Sequence, residues 1–358
     1  MANKKKLFIA ATRQNDGKTV ISLGLAIALA RRIPKISFIK PVGQRYVEVD
    51  EKKIDEDALL IERVCKFGSR LEDTSPIAIE RGFTGRYIEG GDVKELEERI
   101  KKSYAKVTSG RELVMIEGTG HAGVGSVFDL NNARVAHLLG AKVLLITIGG
   151  IGRPIDEIIL NKALFTLEGI EIIGVIVNKA IPEKMGKIKV FLKKGLEKKG
   201  MKLFGVIPYV HLLSTFTVSQ VAESLSAQVV SGEENLERRV LNTLVGAMTP
   251  HEALTYFSEG SLIITPGDRE DVILASLATG TSLAGLVLTG GIIPHPSILE
   301  MIKQYNLPTL MVREDTYTTA SRIHDITVKV KAEDEEKIRI ISELIENYVD
   351  VEAIYNAL

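Results

Sequence analysis

The stretch from Leu7-Phe8-Ile9 through Ala10-Ala11-Thr12-Arg13-Gln14-Asn15-Asp16-Gly17-Lys18-Thr19 restricts this chain more than any other. An apolar run leads into it, and Val20 to Ala30, rich in Ala and Leu, leads out. In a strand–loop–helix setting, backbone N–H groups converge on phosphate and the helix start adds partial positive charge. Lys18 has the reach for terminal phosphates, and the Thr19 hydroxyl suits a Mg2+ shell. One position is irregular: where the usual loop has its first glycine, this one has Thr12. An ordinary strand–turn–helix is the competing reading of the same residues.

The 358 residues allow one very large domain or two or three ordinary ones, and 45% apolar content supplies the cores. Zero net charge gives no sign of a nucleic-acid or membrane surface. The single cysteine, Cys65, rules out an intramolecular disulfide and points to a reducing compartment. It lies in the apolar periodic stretch Ala58 to Phe67, where a packed helix residue is expected rather than a nucleophile. The six histidines are scattered and form no metal cluster with it. Leu7 to Ala11 is too short for a signal peptide, and Val20 to Ala30 falls short of the roughly 18–20 residues of a membrane span. A cytoplasmic protein is expected.

Short runs rich in Val and Ile alternate with amphipathic ones. Strands are predicted at Leu7–Ala10, Ile36–Ile39, Leu113–Ile116, Val143–Ile148, Ile172–Val177 and Leu203–Ile207. They lack polar alternation, so both sheet faces should be covered. Helices are predicted at Lys18–Arg32, Glu56–Phe67, Val93–Val107, Ala133–Leu139, Ile155–Leu167 and Pro182–Lys199. The fold class is therefore α/β, a parallel sheet with helices on both faces. A second, smaller α/β unit follows, with strands at Leu262–Thr265, Gly285–Leu288 and Thr309–Val312. Ile338, Ile341, Leu344, Ile345 and Tyr348 give Asp334 to Tyr348 one apolar helical face, expected to close that second unit. The domains expected are residues 1–215 and 216–358.

Four further segments carry chemistry. Leu113 to Ile116 ends in Glu117, an acid placed to hold Mg2+ opposite Thr19, or simply a solvated strand-end acid, before Gly118-Thr119-Gly120. The second strand ends in Lys40, a cation for phosphates or an anionic substrate, or simply a solvated one. Asp55-Glu56-Asp57 opens a helix, which dipole complementation and capping explain without function. Asn178 ends a strand with a donor and an acceptor suited to a purine edge, or to a turn.

In order and spacing, Thr12 to Thr19, Lys40-Pro41-Val42, Asp57-Ala58-Leu59-Leu60, Glu117-Gly118-Thr119-Gly120 and Val177-Asn178 resemble the dethiobiotin synthetase family over roughly residues 5 to 225. That family has Thr at the irregular loop position, so the resemblance accounts for Thr12. It implies ATP and Mg2+ as cofactors. Thr12, Asn15, Asp16, Gly17, Lys18, Thr19 and Val20 would form the nucleotide loop, and Asn178 would read adenine. Thr19, Asp57 and Glu117 would hold Mg2+, while Lys18 and Lys40 would act on the transferring phosphate. Arg13 and Asn15 replace acidic loop residues of the family, and Gln44 replaces a small hydroxyl residue that contacts substrate.

Lys40-Pro41-Val42-Gly43-Gln44 is closer to the synthetase-like N-terminal region of long bacterial phosphotransacetylases. Gly267-Asp268-Arg269 and Leu288-Thr289-Gly290-Gly291 resemble the two signatures of the DRTGG domain. There Asp268 is expected as a helix N-cap and Gly290-Gly291 as a tight turn, with Asp268, Arg269, Thr289, Gly290 and Gly291 as a second ligand site. These 358 residues leave no span for an acetyltransferase domain, so acetyl transfer is not expected of them. Cobyrinate diamide synthases share the synthetase-like fold but need a nucleophilic cysteine in a glutaminase domain, and Cys65 lies in the wrong half.

The leading expectation is a Mg2+-ATP-binding, ATP-hydrolysing protein. Its DRTGG-like domain would sense a small-molecule effector or mediate homo-oligomer assembly, regulating acetyl-phosphate-related metabolism. One rival is an ATP-dependent ligase that phosphorylates a carboxylate or carbamate. The other is a non-catalytic nucleotide-sensing scaffold, in which Arg13 stands where partitioning-type ATPases place a lysine that reaches across a dimer.

Overall fold

A computed structural model describes residues 4–358 apart from Thr327 and Lys329, and it divides into two compact units. The first comprises residues 1–210 and 330–358, the second residues 211–329.

In the first unit, β1 (Lys5–Ala11) leads through the phosphate-type loop into α1 (Lys18–Ala30) and β2 (Ile36–Ile39). The chain continues through α2 (Glu56–Cys65), α3 (Val93–Val107), β3 (Leu113–Glu117), α4 (Asn132–Leu139) and β4 (Lys142–Ile148). It then runs through α5 (Gly152–Leu167), β5 (Ile172–Ala180), α6 (Met185–Glu197) and β6 (Leu203–Pro208). These six strands form one parallel sheet in the order β6-β5-β4-β1-β3-β2. Leu7 to Ala11 are wholly buried, as continuous apolar strands covered on both faces should be. From β1 the chain goes to one side of the sheet, and from β3 it returns to the other. The order therefore reverses at β1 and β3, and a crevice opens beyond their C-terminal ends.

The second unit begins with α7 (Val218–Leu225), β7 (Gln228–Ser231) and β8 (Asn242–Val245). It continues with α8 (Pro250–Tyr256), β9 (Ser261–Pro266), α9 (Glu270–Ala278) and β10 (Gly285–Thr289), then α10 (Pro296–Tyr305), β11 (Thr309–Met311) and α11 (Thr316–His324). The sheet order is β7-β11-β10-β9-β8, with β7 antiparallel to β11 and the other pairs parallel. Ile263, Leu286 and Leu288 pack against α9 and α10 on one face. Leu262, Ile264 and Val287 pack against α7 and α11 on the other.

The expectation that the last helix closes the second unit is corrected by α12 (Glu335–Tyr348), which packs with α13 (Val351–Ala357) in the first. Ile341 and Ile345 lie against Gly24 in mid-α1, where an added Cβ would sit 2.3 Å from Ile345 Cγ1. Glycine weakens a helix interior, and here it permits that close approach. Polar ties complete the docking: Lys5 Nζ donates to Tyr355 O at 2.7 Å and Asp350 N to Phe204 O at 2.8 Å. This explains why α1 is apolar nearly all round, since sheet and α12 cover opposite sides.

Candidate nucleotide site

Each expected residue of the first unit lies at the C-terminal ends of β1, β2, β3 and β5 or at the start of α1 or α2. The loop is closed by Asp16, whose Oδ2 accepts from Thr12 Oγ1 at 2.9 Å and from Arg13 N at 2.9 Å. Thr12 Oγ1 also lies 3.0 Å from Thr147 Oγ1 on β4. The Thr12 hydroxyl thus ties the loop both to its own Asp16 and to β4. Burial pushes the Asp16 carboxyl up to about 6, against the pull of the Thr12 hydrogen bond, with Glu157 adding to the rise. Asn15 adopts φ 67, and its carbonyl accepts from Lys179 Nζ at 2.8 Å.

Gly17 has φ 90, and a Cβ there would meet Asn178 Nδ2 at 2.2 Å. Asn178 is buried and donates to Asp16 O at 2.9 Å, so the donor half of its amide seats the loop. No side chain caps α1 and its first turn holds no acid, so the N–H groups from Gly17 to Val20 lack acceptors within the helix. Burial lowers the Lys18 ammonium below its ordinary range, with Glu117 opposing. Thr19 Oγ1 donates to Glu117 Oε1 at 3.3 Å.

Lys40 is buried, ion-paired to Asp57, and 3.3 Å from both Asp55 Oδ1 and Glu117 Oε1. Burial alone would lower it, but the three carboxylates hold it above the usual lysine range. Burial likewise raises Glu117 and Asp55 despite Lys40. For Asp57 the balance reverses: burial raises it, but Lys40 holds it below the ordinary range.

Asp55 is more than one of three acids at a helix start. Its Oδ1 caps α2 by accepting Asp57 N at 2.9 Å, and its own N donates to Ser75 Oγ at 2.9 Å. Two asparagines brace the loop after β3 and were not expected from sequence. Asn132 Oδ1 accepts Thr119 N at 2.8 Å, while Asn161 Oδ1 accepts Ala122 N at 2.8 Å and its Nδ2 donates to Thr12 O at 3.2 Å. A lone Asn inside the apolar run Ile158-Ile159-Leu160-Asn161 was the available signal. Arg13, considered for a reach across a dimer, is ion-paired to Glu157 in its own chain. Burial pushes the Cys65 thiol up to about 12, as expected for a packed residue.

Among the described residues, no group of three or more His, Cys, Asp and Glu side chains is arranged to hold a metal unaided. Mg2+ ordinarily takes one or two carboxylates and completes its shell with phosphates and water. Thr19, Asp57 and the wholly buried Glu117, whose Oε2 has no hydrogen-bond partner, fit that partial set.

In the second unit, Gly267-Asp268-Arg269 and Thr289-Gly290-Gly291 follow neighbouring strands, with Gly267 N 3.4 Å from Thr289 O. Asp268 is exposed and does not cap α9: that helix begins at Glu270 after Arg269, without a side-chain cap. Arg269 holds the N-cap position instead and separates Asp268 from the first helical residue. Arg269 donates to Met248 O at 2.8 Å and pairs with Asp271 at 2.9 Å. Thr289 Oγ1 lies 2.7 Å from Thr316 Oγ1. Gly290 and Gly291 form the expected turn at φ 81 and 63, donating to Glu314 O at 2.7 Å and Val312 O at 2.8 Å.

Comparison with known proteins matches residues 5–217 to the AAA domain family. The chain belongs to this family. Residues 220–326 match the DRTGG domain. The chain is 30% identical over 362 residues to the phosphate acetyltransferase of Nitratidesulfovibrio vulgaris, covering 96% of this chain and 50% of that protein. It is 24% identical over 379 residues to that of Salmonella typhimurium, covering 97% and 52%. The chain thus spans about half the length of the curated relatives it matches, and corresponds to their region outside the acetyltransferase domain. Among solved structures, the MinC:MinD cell division complex of Aquifex aeolicus aligns with TM-score 0.39 and 15% identity, over 59% of this chain and 84% of that one. The CBS and DRTGG regulatory region of Clostridium perfringens pyrophosphatase, complexed with diadenosine tetraphosphate, aligns with TM-score 0.26 and 22% identity, over 36% and 59%. No described helix is long and apolar enough to cross a membrane.

Proposed function

We propose that the first unit binds Mg2+-ATP and hydrolyses it. In this reading the DRTGG unit answers to a small-molecule effector or to assembly as a homo-oligomer, and the protein regulates acetyl-phosphate-related metabolism. The observation that carries the proposal is the convergence of the uncapped start of α1 with Lys18, Lys40, Asp57 and Glu117 at the reversal point of the sheet. Phosphates would lie on the N–H groups from Gly17 to Val20, with Lys18 against the terminal one. Thr19, Asp57 and Glu117 would hold Mg2+, which supplies charge neutralisation on the phosphoryl oxygens. Asn178, with one amide N–H given to the loop, would offer its amide oxygen to the adenine amine. The DRTGG residues Asp268, Arg269, Thr289, Gly290 and Gly291 would line a second ligand site.

Hydrolysis is favoured over ligation because Gln44, where the synthetases have a small hydroxyl residue, stands exposed. The test is ADP release from Mg2+-ATP, first alone and then with diaminopelargonic acid and bicarbonate. Slow release without the additions supports the hydrolase. Release only with them replaces it by the ligase, and binding without turnover replaces it by the scaffold.

A further inference from the structure

Three carboxylates share one ammonium group beside the loop. Lys40 Nζ is ion-paired to Asp57 and lies 3.3 Å from Asp55 Oδ1 and from Glu117 Oε1. The Glu117 oxygen that meets Lys40 is the one that accepts the Thr19 hydroxyl at 3.3 Å. The ammonium and the hydroxyl suited to a metal shell therefore converge on one atom. Glu117 is wholly buried, and its other oxygen has no hydrogen-bond partner. Without a cation, carboxylates held this close repel one another. Glu117 Oε1 already accepts from both Thr19 and Lys40, so a divalent ion drawn to it at about 2.0–2.1 Å would meet the ammonium's positive charge at close range.

We propose that Lys40 is the built-in counter-ion of the nucleotide-free site. It holds the place of the divalent ion and keeps the free ion out. Nucleotide phosphates then draw the ammonium away from the carboxylates and complete the metal shell. Metal and nucleotide consequently bind together or not at all. The second half rests on the nucleotide reading above; the exclusion of free metal does not.

Mn2+ alone is the probe, read by its paramagnetic resonance on the full chain. Lys40→Met by itself strands three anions, two of them buried, so the informative variant is Lys40→Met with Asp55→Asn. It loses one cation with one anion, and an amide oxygen at residue 55 still accepts Asp57 N–H. This variant is expected to bind Mn2+ at least about tenfold more tightly than the wild type, and to lose that binding when Glu117→Gln is added. Equal Mn2+ affinity in wild type and double variant, or none in the folded double variant, overturns the proposal. The wild type gives a second arm: Mn2+ uptake at this site without nucleotide, abolished by Glu117→Gln, overturns it whatever the Lys40 variants do. Uptake only after a non-hydrolysable ATP analogue is added supports it. A wild type that binds neither Mn2+ nor the analogue, beside a double variant that binds Mn2+, upholds the counter-ion and overturns the nucleotide reading instead.

Discussion

In the first unit α1 begins without an acid in its first turn and without a side-chain cap. In the second, α9 also begins without a side-chain cap but brings Glu270 and Asp271, and Asp271 is already paired to Arg269. Both helices start just beyond the C-terminal end of a parallel strand. One leaves its positive end for an external anion, whereas the other carries its own anions. The Gly290 and Gly291 N–H groups of the second unit are likewise spent on backbone carbonyls. The same topological position thus has two chemistries. A ligand of the second unit would have to be recognised by something other than a helix start waiting for phosphate.

The comparison can be broken at several strengths. Ile345→Ala removes the side chain against Gly24 and should cost about 2–4 kcal/mol. Hydrogen exchange is expected to rise in β1 and α1 and to stay unchanged in β9 and β10; equal loosening of both would remove α12 from the first unit. Lys18→Ala should weaken binding of a fluorescent ATP analogue by about a hundredfold. Full retained affinity would defeat every nucleotide reading of the loop.

A smaller effect is expected from Asp16. Its folded pKa of about 6 lies above the ordinary carboxyl value of 3.8. Between those values the folded chain holds more protons than the unfolded one, so stability falls as pH rises through that window and stays lowered above it. Relative to Asp16→Asn, the wild type should lose up to about 2 kcal/mol between pH 4 and 7, after allowance for solvent screening. Parallel denaturation curves at both pH values would refute this. Least of all, Asp271→Asn breaks an exposed pair and should change stability by no more than about 0.5 kcal/mol, with nucleotide affinity untouched.

The sheet and the loop were legible in the sequence for separate reasons. Strands such as Leu113 to Ile116 are apolar on both faces, so their burial follows from composition alone. The loop is one contiguous segment whose spacing is itself the signal. The contacts around Lys40 were not legible, because Asp55, Asp57 and Glu117 are brought together only by tertiary structure and each has an innocent local explanation. Asn178 also donates to Asp16 O, a loop contact that no signal in the sequence marked. A side-chain amide looks alike in sequence whether it faces a ligand or a loop. The face of α12 was correctly apolar but its docking partner was missed, since periodicity records that a helix is covered and not by what. Gly24, set inside an Ala- and Leu-rich helix, was the mark of that partner.

The placement of α12 also bears on how the chain matures. As it leaves the ribosome, residues 1–210 appear first, then the whole second unit, and only then the helix that covers α1. Throughout that interval Gly24 and its apolar surroundings have no lid, the kind of exposed surface that folding helpers bind. The first unit is therefore begun first and finished last, and a chain that stalls within the second unit never seals the helix that carries Lys18.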